Sequence, residues 1–127
     1  MNVQRLNPPG LSQPLSAYCL VARKGSIVTT AGAIALDAEG NVVGEGDIEA
    51  QTRQTIGNLR AALEGAGASL QDILKTTIFI TDMANYQGMN KVYAEYFQDH
   101  PPARSTVRAD LVLPQLLVEI EAIAVLD

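Results

Sequence analysis

The sequence has no tryptophan, one cysteine and one histidine, and only 5% of it is aromatic. Cys19 cannot close a disulfide within the chain, a usage compatible with a reducing compartment. With His100 as the single histidine and no HxxxH spacing, the common transition-metal sites are not expected. A Ser-His-Asp triad would have to use this same residue, which stands before two prolines where a helix C-terminus already favours a histidine. No apolar run approaches the roughly 18 residues that span a bilayer, and MNVQRLNPPGL lacks the apolar stretch of a secretory signal. The expected location is therefore cytoplasmic. Nine basic residues face fourteen acidic ones, giving a net charge of −5, and the basic residues form no run of even three. That balance argues against nucleic acid and anionic membranes as partners, because both are bound largely through Lys and Arg. Glycines 40, 44 and 46 form neither GxxxxGK(S/T) nor GxGxxG, so no nucleotide phosphate loop is expected.

What the chain does contain is aliphatic. Its 127 residues are 47% apolar, enough for a single domain over 1–127 that buries about 65% of its unfolded surface and that oligomerisation would help to stabilise. LVAR and SIVTTA, between Tyr18 and Thr30, read as two strands meeting at a Lys24-Gly25 hairpin. DAEGN, 37–41, reads as a turn followed by a short Val42-Val43 strand. From the N-cap Asp47, apolar or small residues at 48, 52, 56, 59, 63 and 66 recur with helical spacing, predicting a helix over 47–66 that ends at Gly65 or Gly67. Ser69 to Asp72 has capping-box spacing and predicts a single turn.

ILKTTIFIT, 73–81, is β-branched and predicts a central strand. A second helix is expected over 83–98, with Tyr86, Met89, Tyr93, Tyr96 and Phe97 on one side, until Pro101 and Pro102 stop it. Gly88 weakens this helix by roughly 1 kcal/mol relative to alanine, so packing there must compensate. Strands over 104–111 and 116–126 complete the order ββ(β)αβαββ. The fold class is α+β, two helices on one face of a mixed sheet, with the other face bare unless subunits share it.

Five polar residues bear on function. Arg104 follows the rigid Pro-Pro break at the head of a strand, so its guanidinium, which matches a carboxylate with two parallel hydrogen bonds, would be held in one direction. A surface salt bridge is the competing explanation. Glu119 and Glu121 share a strand face with Ile123 and Val125. They either meet solvent or a lysine at an interface, or place one carboxylate in a site where burial raises its pKa and fits it for proton exchange. Asn90 shares a helical stripe with Tyr86, Tyr93 and Phe97, where an amide must bind either a loop backbone or a ligand. Tyr18, at the mouth of the first strand, is more often a core-packing residue than a catalytic one.

PPARSTV followed by VEIEAIAV, together with GDIEAQTRQTIGNLRAALEGAG and KTTIFITDMANYQGMNKVYAEYF, resembles the Rid family of YjgF type, the reactive intermediate deaminases. The resemblance runs from about Leu15 to the C-terminus. It implies a chorismate-mutase-like fold and a homotrimer whose sheets line a central β-barrel, with clefts between subunits. It also implies hydrolysis of 2-aminoacrylate and related enamine or imine acids to 2-oxo acids and ammonia, with no metal and no cofactor. Position by position, the family's carboxylate-clamping arginine falls on Arg104, its water-handling carboxylate on Glu119, its cleft tyrosine on Tyr18, its helix asparagine on Asn90 and its close-approach glycine on Gly32. The usual TSGQ reads TAGA here, which puts Ala31 and Ala33 where the family has serine and glutamine. Thr106 stands for the cysteine of PARSCV, and SAYCL replaces GPYSQ. Carboxylate binding should survive these changes, while substrate choice and rate need not. A trimeric module that binds 2-oxo acids without turning them over is therefore an alternative expectation.

Overall fold

The computed structural model describes residues 2–127. Strand β1 (Gln4–Leu6) pairs antiparallel with β2 (Val21–Lys24), which turns into β3 (Ile27–Thr30). The turn uses Gly25 at a φ of 61°, a left-handed value that glycine adopts without steric cost. A two-residue strand β4 (Ala33–Ile34) lies against β7 (Val118–Val125), and β5 (Ile73–Ile80) and β6 (Ala103–Arg108) complete a seven-stranded sheet in the order β1-β2-β3-β7-β5-β6. All pairings are antiparallel except β5 with β6, whose connection runs through helix α2 (Tyr86–Phe97). Strand β5 is interior, as its β-branched composition predicts.

Helix α1 (Ile48–Gly65) begins as the sequence indicates, with the Asp47 carboxylate accepting from the Ala50 N–H at 3.1 Å. Ala66 ends it, and Gly67, at a φ of 85°, turns the chain away. Both helices cover one face of the sheet. Ile56, Leu59 and Leu63 of α1 and Met89, Tyr93 and Phe97 of α2 pack on Val28, Ile78, Ile80, Val118 and Ile120 as one aliphatic core. The helices approach closely at Gly88, where a Cβ would lie 2.7 Å from Ile48 Cγ2. That contact is the compensation the helix-weakening glycine required.

The opposite face has no covering layer. Ile27, Val107, Ile123 and Val125 project from it and are exposed in the isolated protomer, Ile27 by 58% and Ile123 by 45%. Several boundaries differ from expectation, among them that of the last strand, which spans Val118–Val125 and not 116–126. Val42-Val43 makes only a single bridge, Leu36 to Val42, because the turn at 37–41 leaves no longer partner. Strand β6 stops at Arg108, the last residue that β5 pairs, and not at Leu111. The α-helical part of the second helix starts at Tyr86, after a tighter turn over Met83–Asn85 capped by the Asp82 carboxylate.

Candidate functional site

Strand register decides which polar groups can meet. Residues opposite one another in paired strands point to the same face, and alternate residues point to opposite faces. Thr76 pairs with Arg104 on one side and Ala122 on the other, so all three face the helices. Glu119 lies three residues from Ala122, paired with Phe79 and Ile34, and so projects onto the uncovered face with Glu121. Arg104 and Glu119 thus belong to different faces of one sheet. They stand two strand spacings and three residues apart, about 10 Å in each direction.

Around Arg104 the helix-facing side chains form a cation-binding wall. The guanidinium carbon sits 4.9 Å from the Tyr93 ring centroid and 5.7 Å from that of Tyr86. Nη2 donates to the Tyr86 hydroxyl at 3.0 Å. Beneath, the Tyr93 hydroxyl is fixed by the buried Thr76 hydroxyl at 2.7 Å, and burial pushes the Tyr93 pKa up, so it stays a neutral phenol under the cation. Arg104 has no carboxylate partner among the described residues. It borders two hollows, one lined with Met83, Tyr86 and Thr106 and the other with Asn90, Tyr93, Phe97, Pro101 and Pro102. The Oδ1 atom of Asn90 and the Oγ1 atom of Thr106 are buried without a hydrogen-bond partner. Leaving such groups unmet costs about 1–3 kcal/mol each, so an incoming polar ligand would be favoured here.

The second group gathers around Glu119. Its carboxylate lies directly against Gly32, and a Cβ at that position would overlap the carboxylate oxygen. Gly32 is thus required for space and not for its backbone angles. Burial raises the Glu119 pKa, and the neighbouring Glu121 carboxylate raises it further. Gly32, Ala31, Ala33 and Tyr18 line a small cavity of about 60 Å³, whose remaining wall includes Leu11, Leu15 and Leu59. Tyr18 is 45% exposed, and its hydroxyl accepts from the Leu15 N–H at 3.2 Å.

The candidate residues therefore form two separate groups in one protomer, Arg104, Thr106 and Asn90 on the helix side, and Glu119 on the bare face against Gly32, which with Tyr18 and Ala31 also lines the small cavity. Each is open, and the β6 edge beside Arg104 has no strand beyond it. The hydroxyl of Tyr86 was not singled out by the sequence, where the residue reads as packing. The available signal was its spacing of four from Asn90 on a stripe that also carries Tyr93. Among the described residues no group of three or more His, Cys, Asp or Glu side chains could hold a metal ion, and no helix is long and apolar enough to cross a membrane.

The model of one protein family, Endoribonuclease L-PSP, matches residues 10–126. A RutC family protein of Pyrococcus horikoshii is 41% identical over 112 residues, covering 88% of this chain and 89% of the relative. Among solved structures, E. coli TdcF with bound serine superposes with a TM-score of 0.89 at 31% identity, over 98% of this chain and 99% of that one. YyfA of Yersinia pestis, a protein of the Rid family, superposes with a TM-score of 0.90 at 35% identity, over 98% and 100%.

Proposed function

This chain belongs to the Endoribonuclease L-PSP family, within the YjgF/Rid superfamily, and on that premise we propose that it is an enamine/imine deaminase. Its substrates are 2-aminoacrylate-like acids and its products 2-oxo acids and ammonia. The observation that carries this reading is the pairing of a free, aromatic-braced Arg104 with a half-buried Glu119 of raised pKa, each on an open half-site. Three copies would unite the halves, the β6 edge of one protomer meeting the Gly32 to Glu119 wall of the next. The apolar residues on the bare sheet face supply the surface to be shared.

In the resulting cleft Arg104 holds the substrate carboxylate as a fork, which fixes the imine carbon against the neighbouring wall. Glu119, ionised, accepts a proton as water adds to that carbon. A 2-aminoacrylate-like enamine first takes a solvent proton on its β-carbon to become the iminium, and the C–O bond then forms while the C=N electron pair moves to nitrogen, giving a neutral carbinolamine. Glu119 returns its proton to the amine, the C–N bond breaks, ammonia leaves, and the hydroxyl proton is lost as the carbonyl forms. A carboxylate with a raised pKa suits both halves of this exchange, since proton acceptance and return are then closely balanced. The test is release of ammonia and 2-oxo acid from imino acids generated in situ, with Arg104→Ala as the comparison.

A second reading is favoured by one observation. Ala31 and Ala33 present methyl groups to the Tyr18 cavity, so these two positions offer no side-chain hydroxyl or amide to a reacting water. A trimeric module that binds 2-oxo acids without turnover would show tight binding and no acceleration in the same assay. The family's endoribonuclease description carries less weight here, given the net charge of −5 and the single histidine.

A further inference from the structure

Arg104 alone does not account for the arrangement of its neighbours. The Tyr86 hydroxyl accepts from Arg104 Nη2 at 3.0 Å, which uses an oxygen lone pair and leaves the Tyr86 O–H itself without an acceptor among the hydrogen bonds of the described residues. That O–H sits at the rim of the hollow shared with Arg104 and Thr106, on a side chain that is 38% exposed. We propose that Tyr86 is a second carboxylate-binding residue, its hydroxyl donating to the same substrate carboxylate that Arg104 clamps. This rests on the deaminase or 2-oxo acid reading of the site, and it adds a ligand contact that neither requires.

The chemistry is cooperative. A hydroxyl that accepts from a guanidinium is polarised and becomes a better donor, and a donor aimed at an anion forms a charge-assisted hydrogen bond. Hydrogen bonding from the Asn90 side-chain amide first, and the Arg104 charge second, hold the Tyr86 pKa below its ordinary value of 10.0; Asn90 is the donor, since its Oδ1 has no partner. A lowered pKa and a strong donor are two expressions of the same field. Tyr86 is also placed by its own helix start, immediately after the tight turn capped by Asp82, so the hydroxyl is presented by the first turn of α2. The ring meanwhile packs over the guanidinium, so Phe in its place would keep the aromatic wall and remove the hydroxyl, both as a donor to the ligand and as the acceptor of Arg104 Nη2.

Two properties separate this role from a merely structural one. The contribution is greatest for a charged carboxylate on the ligand, and it fails when Tyr86 ionises, because a phenolate repels the carboxylate and pairs with Arg104 instead. The titratable or charged groups facing Tyr86 are Arg104 from β6 and Tyr93 from α2, and Tyr93 titrates on the other side of the ordinary value. The alkaline loss of binding is thus assigned to Tyr86.

The experiment is calorimetric titration of the intact oligomer with 2-oxobutanoate and with its uncharged amide, for the native protein and Tyr86→Phe, from pH 7 to 10. Expected is a loss of about tenfold or more in affinity for the acid in Tyr86→Phe, the scale of a hydrogen bond to a charged group. The amide, whose neutral carbonyl accepts a weaker hydrogen bond, should lose severalfold less affinity than the acid, and the alkaline decline in acid binding should be absent from the variant. Thermal denaturation establishes that Tyr86→Phe is folded. Equal acid affinity in the two folded proteins, or an equal loss for acid and amide, overturns the role of Tyr86. Failure of the native protein to bind any 2-oxo acid overturns the functional reading beneath it and is distinguished by that control alone.

Discussion

Gly32→Ala would put a methyl group where the Glu119 carboxylate now lies. The overlap is unavoidable with the present side-chain position, since even the Glu119 Cγ would be 2.8 Å from the new Cβ. Relief must come from rotating Glu119 off its rotamer, at about 0.5–1.5 kcal/mol, or from backbone movement between β4 and β7, so that the total is about 1–3 kcal/mol. Activity should fall by about a hundredfold, because a displacement of an ångström at the proton-transferring group is enough. The stability effect can be isolated by a double-mutant cycle with Glu119→Ala, measured by urea denaturation at fixed protomer concentration. With the carboxylate absent the clash disappears. Alanine at 32, which lacks a left-handed φ, should then be neutral or stabilising by a few tenths of a kcal/mol through the unfolded chain. A coupling energy of 1–2 kcal/mol is expected. Additive losses would refute the claim that Gly32 exists to admit Glu119.

Gly88→Ala should destabilise by about 1–2 kcal/mol despite a gain in helix propensity of about 1 kcal/mol, because the new methyl meets Ile48 Cγ2 at 2.7 Å; a rise in melting temperature would contradict this. Glu119→Gln should be more stable than the native protein at neutral pH. Burial raises the native carboxyl's folded pKa, so its contribution to stability is fully present below the unfolded value and lost as pH rises through the folded one. The difference between the two proteins should close on acidification through that range, and a constant difference from pH 4 to 8 would oppose the assignment. Activity, which needs the ionised form, should decline toward acid above the ordinary carboxylate range. Rigorously purified protein should leave single-stranded RNA intact at physiological salt, as the charge of −5 implies, and cleavage that co-purifies with the protein would reinstate the ribonuclease reading.

Local patterns carried most of the fold. Helix α1 was legible from its cap and its periodicity, β5 and β7 from β-branched composition, and the end of α2 from two prolines. Strands β1 and β4 were not, because three and two residues hold no period and both are defined by partners elsewhere, β1 by Val21–Arg23 and β4 by Glu119 and Ile120. For the site, the Pro-Pro break pointed to Arg104 and the Glu-Ile-Glu alternation to Glu119 and Glu121 together, with the family resemblance choosing Glu119. The aromatic brace under Arg104 depends on how α2 docks, and no spacing within the chain encodes that docking. Nor did the sequence reveal that Arg104 and Glu119 face opposite sides. That separation follows from the register of β5 with both neighbours, a long-range property, and it is the reason we propose a site shared between copies.

The most direct measurement compares the native protein with Arg104→Ala for ammonia and 2-oxo acid release from imino acids produced in situ by an amino-acid oxidase or a threonine dehydratase. Acceleration over the uncatalysed rate that disappears in the variant, with the oligomer intact, is the predicted result. Acceleration that persists in the variant, or none across a panel of side chains, would contradict the deaminase assignment.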